Sequence, residues 1–261
     1  MGTIIKTQED AELLRESGRR LSLALDAVAA AVRPGVSTKE LDRIAEGMIR
    51  SRGDEPAFLG YSPEGATTPF PASLCISVND EIVHGIPSET RILQEGDIVG
   101  LDLGVNHGGM ITDSARTVPV GKISYEAQKL LDVTKEALER AIAVAVPGGN
   151  IGDIGFVIQS FVMPFGYSIV RELGGHGVGH HVHEEPYIAN FGNQGTGPKI
   201  VPGMVLAIEP MLNAGGRYLT VDEDGYTIRT ADGSLSAHFE HTILVGEDGA
   251  QVMTQSVSDT Q

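Results

Sequence analysis

GDIVGLDLGVNHGGMITDSARTV, residues 96–118, reads as strand, turn and strand: two runs rich in apolar and β-branched residues flank Asn106–Gly109, a turn signal. A turn centred between His107 and Gly108 sets Asp102 directly opposite Asp113 on one face, with Cβ atoms about 4.5–5.5 Å apart. Two carboxylates that close repel unless one is protonated or a cation lies between them. An exposed hairpin whose two acids meet water satisfies the same pattern, so the hairpin by itself leaves both readings open.

Outward from this hairpin the chain repeats itself. The first half opens with a long amphipathic helix over about Gln8–Val32, with Thr7 and Asp10 as its capping box, and a second helix with Ser37 and Glu40 as its box. Strands follow near Ser73–Ser77, Asp97–Val105 and Met110–Val118. The second half runs through a helix over about Tyr125–Val146, the turn PGGN and another helix from near Ile151. Strands then fall near Ser168–Glu172, Met204–Leu212, Tyr218–Val221, Tyr226–Thr230 and Ala237–Val245. RPGVSTKELDRIA (33–45) aligns with VPGGNIGDIGFVI (146–158), and HGIP (84–87) with HEEP (183–186). EGDIVGLDLGV (95–105) aligns with VPGMVLAIEPML (201–212), which matches Asp102 to Glu209. Two α/β halves facing each other across a pseudo-twofold axis give an α+β fold: a curved, mainly antiparallel sheet with helices on its outer face and acids from both halves converging on its inner face. Residues 1–261 read as one domain, with halves of about 5–121 and 122–253 and a frayed tail over 254–261.

Two further acids stand where a surface charge does not belong. Glu209 lies in VLAIEPML (205–212) and Glu240 in SAHFEHTILV (236–245), both largely apolar. An ionised carboxylate is rarely buried without a partner, and the partner must offset its desolvation. Lys and Arg are too few nearby to serve them all, so divalent metal is the economical answer. GGHGVGHHVHEEP (174–186) packs four His into eight positions beside glycines that allow close backbone approach. His176 is the ligand candidate. His183 and His84, each followed at the third position by Pro, form a matched pair flanking the centre, and His180 and His181 read as structural. His107, His238 and His241 receive no role; strand alternation sends His241 outward if Glu240 faces in. Asp102, Asp113, His176, Glu209 and Glu240 form a hard, oxygen-rich set that suits Mn, Fe(II), Co or Zn over soft Cu(I). Their four negative charges balance two divalent ions, and two metals about 3.5–4 Å apart, holding a bridging hydroxide and polarising a carbonyl, are machinery for hydrolysis. No phosphate loop competes: GVGHHV (177–182) is not a Walker motif.

Composition bounds the rest. The 261 residues are 41% hydrophobic, enough for a sizeable core. A net charge of −16 argues against a dedicated DNA binder and against docking on an anionic membrane. Cys75 is the single cysteine, so no intrachain disulfide forms, which suits a reducing cytoplasm. The N-terminal stretch carries charges and no apolar run of signal or membrane-spanning length.

VRPGVSTKELD (32–42), PFPASLCISVNDEIVHGIP (69–87), GDIVGLDLG (96–104), TDSART (112–117), GGHGVGHHVHEEP (174–186), IEPM (208–211), DGYTIRT (224–230) and SLSAHFEHTILV (234–245) together resemble the methionine aminopeptidases of the short type I form, from about Ile5 to Met253. The resemblance implies the pita-bread fold of metallopeptidase family M24 and removal of N-terminal methionine from nascent proteins whose second residue is small. It implies two divalent ions (Co, Mn, Fe(II), Zn or Ni). Asp113 and Glu240 would bridge them, Asp102 would bind one, and His176 with Glu209 the other. Glu209 would also be the general base, His183 would meet the developing oxyanion and His84 the scissile amide. The methionine pocket would be lined by Tyr61, Phe70, Cys75, Val182 and Tyr226, although plain core packing explains Cys75 equally well. Nascent peptides would be the partners of a cytoplasmic monomer in transient association with the ribosome, with neither DNA nor membrane; the −16 charge disfavours tight docking on ribosomal RNA, for which Arg15, Arg19 and Arg20 on the first helix offer a local basic patch. The chain departs from the family at YSPEGATTPFP (61–71), which is longer than the usual segment and carries Ser62 where a pocket histidine often stands. Two readings stay open beside this one: an Xaa-Pro aminopeptidase-like enzyme, and a non-catalytic binding protein on the same fold.

Overall fold

Capping side chains open the helices where the sequence places them. Thr7 accepts from the Asp10 N–H and starts α1 (Gln8–Ala31); Ser37 accepts from the Glu40 N–H and starts α2 (Thr38–Arg50). In the second half Ser124 caps α3 (Tyr125–Ala143), and Asp153 takes the Asn150 N–H at the start of α4 (Ile151–Val162). The structure, a computed structural model, describes Gly2, Ile4, Ile5, residues 7–62 and residues 68–256. Residues 63–67 of the long Tyr61–Pro71 segment and residues 257–261 of the tail lie outside the described residues. No helix is long and apolar enough to cross a membrane among the described residues.

The first half adds β1 (Glu55–Pro56), β2 (Leu74–Val78), β3 (Glu81–Val83), β4 (Ile98–His107) and β5 (Met110–Pro119). The second half adds β6 (Ser168–Ile169), β7 (Gly174–Gly177), β8 (Glu184–Ala189), β9 (Val205–Ile208), β10 (Met211–Asn213), β11 (Leu219–Val221), β12 (Ile228–Thr230), β13 (Ser236–His238), β14 (His241–Val245) and β15 (Ala250–Val252). Every strand pairing is antiparallel among the described residues. In the first half β4 is central, with β5 along one edge and β2 and β1 along the other; in the second half the order is β15-β14-β9-β7-β8. Two three-stranded sheets, β13-β10-β6 and β11-β12-β3, complete the set, and the β12–β3 pair ties the halves together.

The duplication read from the sequence has structural counterparts. The aligned caps Ser37 and Asn150 each form an isolated bridge, to Ile92 and Lys199. The aligned glycines share left-handed backbone, Gly35 (φ 89°) with Gly148 (φ 87°) and Gly96 (φ 95°) with Gly203 (φ 88°). One apolar cluster joins α1 and α2 to β2 and β4 through Leu21, Leu25, Leu41, Leu101 and Leu103; another joins α3 and α4 to β9 and β14 through Leu130, Leu138, Ile154, Leu206 and Ile243. Burying each such side chain contributes about 1.5–3 kcal/mol. Helices therefore cover one face of each sheet, and strand alternation turns the intervening residues to the other face.

Three expectations need correction. The hairpin turn centres on Gly108 and Gly109, not on His107 and Gly108, so Asp102 faces Ala115 and Asp113 faces Gly104. Both turn residues have positive φ, 59° and 91°, which suits glycine and not histidine. The displacement is two residues, an even step, so the two acids keep a common face as diagonal neighbours. The strands expected over Met204–Leu212 and Ala237–Val245 are each broken, and Glu209 and Glu240 sit in the breaks between β9 and β10 and between β13 and β14. Pro210 lacks an N–H and interrupts the first ladder. The tail does not fray from Thr254: Thr254 and Ser256 are buried, with the Thr254 hydroxyl bonded to His241 and the Ser256 hydroxyl bonded to Asp26. On α1, Arg19 and Arg20 pair with Glu16, and Arg20 also with Asp54.

Candidate metal centre

Two strands and two strand breaks deliver the acids to one place. On β4, Val99, Leu101, Leu103 and Val105 pack under the helices, so Asp102 points to the opposite face. On β9, Leu206 and Ile208 face the helices while Val205 and Ala207 face a central apolar cluster, and Glu209 continues the second series. Glu240 follows Leu244 inward, and His241 turns away toward Thr254. The halves are stitched at this point: the Glu240 N–H donates to Ala115 O, the Asp113 N–H to Thr242 Oγ1, and the His238 N–H to Thr117 Oγ1.

His176 comes from β7, which lies between β9 and β8. A Cβ at Gly175 would fall 2.3 Å from Ala207 O, and one at Gly177 2.1 Å from Glu185 O. Only glycines on both sides let the neighbouring strands close around the imidazole. His176 Nδ1 lies 2.9 Å from Gly177 O. A carbonyl only accepts, so Nδ1 carries the hydrogen and Nε2 presents a lone pair. That Nε2 is 3.5 Å from Glu209 Oε1 and 4.0 Å from Asp113 Oδ2. Ligand atoms of Asp113, His176 and Glu240 all lie within 4.8 Å of one another. Asp102 and Asp113 are diagonal neighbours on one face of the hairpin, and two carboxyls that close need a proton or a cation between them.

The donor set fits divalent metal. Asp113 and Glu240 are 4% and 2% exposed. Asp102 Oδ1, Asp113 Oδ1 and Glu240 Oε1 are buried with no hydrogen-bond partner among the described residues. No Lys or Arg lines the cavity they share. Burial raises the Asp102 carboxyl to about 7. Burial first, then the neighbouring acids, pushes Asp113, Glu209 and Glu240 well above the usual carboxylate range. Burial holds the imidazoles neutral, lowering His176 to about 3, His84 to about 4 and His183 below its usual value. A cation binds neutral imidazole and carboxylate, so metal would displace the protons that burial otherwise keeps on these acids.

The cavity, about 140 Å³, brings together every site residue expected from the sequence: the five ligand candidates, His84, His183, Tyr61, Phe70, Cys75, Val182 and Tyr226. Tyr61 OH lies 2.7 Å from His183 Nδ1, and the His183 ring stands 4.4 Å, centroid to centroid, from His176. His84 has left-handed backbone (φ 60°), a strained conformation that turns its ring toward the centre. Phe70 meets Tyr226 edge to face at 5.2 Å, and the Tyr226 hydroxyl donates to Thr68 O. The long segment is thus anchored on both sides of its undescribed residues. Three lining residues were not anticipated: Phe58, Val83 and His238. His238 was detectable, because alternation places it on the face of Glu240; Phe58 and Val83 carry no such signal. The other histidines lie elsewhere: His107 pairs with Asp54 at 2.8 Å, and the N–H groups of His180 and His181 donate to Glu184.

Residues 12–247 match the profile of metallopeptidase family M24. The chain is 45% identical over 252 residues to methionine aminopeptidase 1 of Bacillus subtilis, covering 97% of this chain and 99% of that one. To the methionine aminopeptidase of Escherichia coli K12 it is 40% identical over 261 residues, covering 100% of this chain and 97% of that one. The crystal structure of methionine aminopeptidase from Thermotoga maritima superposes with a TM-score of 0.92 at 39% identity, covering 97% of this chain and 100% of that one. The prolidase from Pyrococcus furiosus, at 23% identity and a TM-score of 0.76, shares the fold.

Proposed function

This chain belongs to metallopeptidase family M24 and, within it, to the methionine aminopeptidases, and from that premise we propose that Asp102, Asp113, His176, Glu209 and Glu240 hold two divalent ions with which it hydrolyses methionine from peptide N-termini. The observation that carries this reading is the group of buried acid oxygens with no protein donor, gathered around the His176 lone pair. Bound divalent metal supplies Lewis acidity, polarising a carbonyl and acidifying water.

The residues of the chain do the rest. Glu209 takes a proton from the attacking water and passes it to the leaving amine as the water oxygen bonds to the carbonyl carbon and the C–N bond breaks. His183, oriented by Tyr61 at Nδ1, offers its other nitrogen to the developing oxyanion. His84, neutral and held by its strained backbone, meets the scissile amide. Phe58, Phe70, Cys75, Val182 and Tyr226 form the apolar wall for the methionine side chain. A steric limit beyond that pocket would restrict the second residue to a small one.

Nascent chains are the substrates in this reading, met in the cytoplasm by a monomer in transient contact with the ribosome. The single cysteine fits the cytoplasm, and the −16 charge weighs against tight docking on ribosomal RNA. The decisive experiment strips the protein of metal, reloads it separately with Mn, Co, Fe(II), Zn and Ni, and assays Met-Ala-Ser, Met-Leu-Ser and Ala-Pro-Ser, with Glu209→Gln as control. Metal-dependent methionine release from Met-Ala-Ser alone is expected. Cleavage of Ala-Pro-Ser would move the chain to Xaa-Pro chemistry, and binding without turnover would leave a binding protein.

A further inference from the structure

One buried imidazole at the centre has no part in the steps above. His238 ends β13, two residues before Glu240, and is 3% exposed. Its Nε2 has no hydrogen-bond partner among the described residues and lies 3.6 Å from Glu209 Oε2. The other oxygen, Glu209 Oε1, faces His176 Nε2 at 3.5 Å. Each carboxylate oxygen is therefore matched to a different imidazole.

The two imidazoles differ in what they offer. The His176 Nδ1–H is committed to Gly177 O, so its Nε2 is a lone pair and meets a carboxylate oxygen favourably only across a cation. Nothing among the described residues claims the His238 Nε2 as an acceptor, and the tautomer with hydrogen on Nε2 is the one a carboxylate oxygen attracts. The residue is also held in place. Its N–H donates to Thr117 Oγ1 and its carbonyl accepts from the same hydroxyl, across the junction of the two halves. A closure of about 0.5 Å brings Nε2 and Oε2 to ordinary hydrogen-bond distance.

The geometry points to His238 as a positioning residue: its Nε2–H holds Glu209 Oε2 and so turns Oε1 toward His176 and the metal. Without it, the Glu209 carboxyl turns freely about its terminal bond, and both its ligation and its aim as a base are lost. The catalytic consequence rests on the aminopeptidase reading of Glu209; the effect on metal affinity does not.

The test compares His238→Leu, His238→Asn and His238→Gln in the full chain. Glutamine returns an N–H near the Nε2 position, asparagine falls short of it, and leucine has none. We expect His238→Leu and His238→Asn to lower kcat on Met-Ala-Ser by about 10–100-fold with KM within about twofold, and to weaken Mn²⁺ binding, read by calorimetry, about tenfold. His238→Gln should restore both. Tm identifies any variant that fails to fold; if His238→Leu does, His238→Asn against His238→Gln makes the same comparison. Parental kcat and Mn²⁺ affinity in the leucine or asparagine variant would overturn the inference, as would a glutamine variant as impaired as the leucine one. A change in KM alone would make His238 a pocket wall instead. Should the parent release no methionine with any metal, the aminopeptidase reading fails, and the Mn²⁺ affinities alone decide the role of His238.

Discussion

Asp113 and Glu240 each keep an oxygen that no protein donor reaches, inside walls that exclude most water. A buried unpaired carboxylate opposes folding until a cation or a proton joins it. Asp113→Asn removes one like charge from the centre. In chelator its Tm should therefore rise above that of the parent, by about 2–4 °C for each kcal/mol relieved. Mn²⁺ should no longer raise that Tm, and methionine release should fall beyond the roughly 10–100-fold of an outer-shell change. Scanning calorimetry with and without Mn²⁺ checks both; a chelated variant that melts below the chelated parent sinks the idea. At this scale most of the site was legible. Glu209 and Glu240 stood out because acids interrupt apolar runs, and His176 because it stands among glycines. Phe58 did not, because an aromatic residue in FLGY looks the same whether it packs a core or a pocket.

Strands and turns carry the second layer of the site. The hairpin was read correctly as a hairpin and wrongly in register, because Asn-His-Gly-Gly allows the turn at either centre and only the positive φ demanded of both central residues selects Gly108 and Gly109. β7 was invisible, since GGHG has neither alternation nor β-branched residues; it is a strand because β8 and β9 hold it from both sides. The two kinds of glycine should respond differently to alanine. Gly109 has φ 91° and open space around the new methyl, so Gly109→Ala should cost about 1 kcal/mol and lower Tm by about 2–4 °C, with Mn²⁺ affinity kept. At Gly177 the methyl would meet Glu185 O at 2.1 Å, so Gly177→Ala should part β7 from β8 and lose metal affinity together with stability. Calorimetric Mn²⁺ titration of the two variants separates them, and equal affinities would remove β7 packing as the device that aims His176.

For the molecule as a whole, the centre links stability to pH. The acids have folded-state pKa values raised by burial, Asp102 to about 7 and the others well above their usual range, so their contribution is present at low pH and lost as pH rises through those values. His84, His176 and His238 are lowered to between about 3 and about 4, so their contribution is lost as pH falls below about 6.5. The two trends oppose each other below about 6.5, and above it only the acids still change. Chelated protein should thus melt lower at pH 8.5 than at pH 6.5, while Mn²⁺-loaded protein, whose cations replace those protons, should not; a chelated Tm that holds or rises over that range would contradict the assignment. The sequence by itself determined the helices, the longer strands, the duplication, the caps and the identity of the ligand candidates, because capping, periodicity and the cost of burying charge are properties of short stretches. Only the tertiary structure decided the hairpin register, the breaks that hold Glu209 and Glu240, the tautomer of His176 and the place of His238 beside Glu209. The place of Glu240 and of His238 depends on atoms far along the chain, Ala115 O and the Thr117 hydroxyl, whose distance in space no local pattern encodes, while the hairpin register and the His176 tautomer depend on the backbone conformation that the folded sheets impose on Gly108, Gly109 and Gly177.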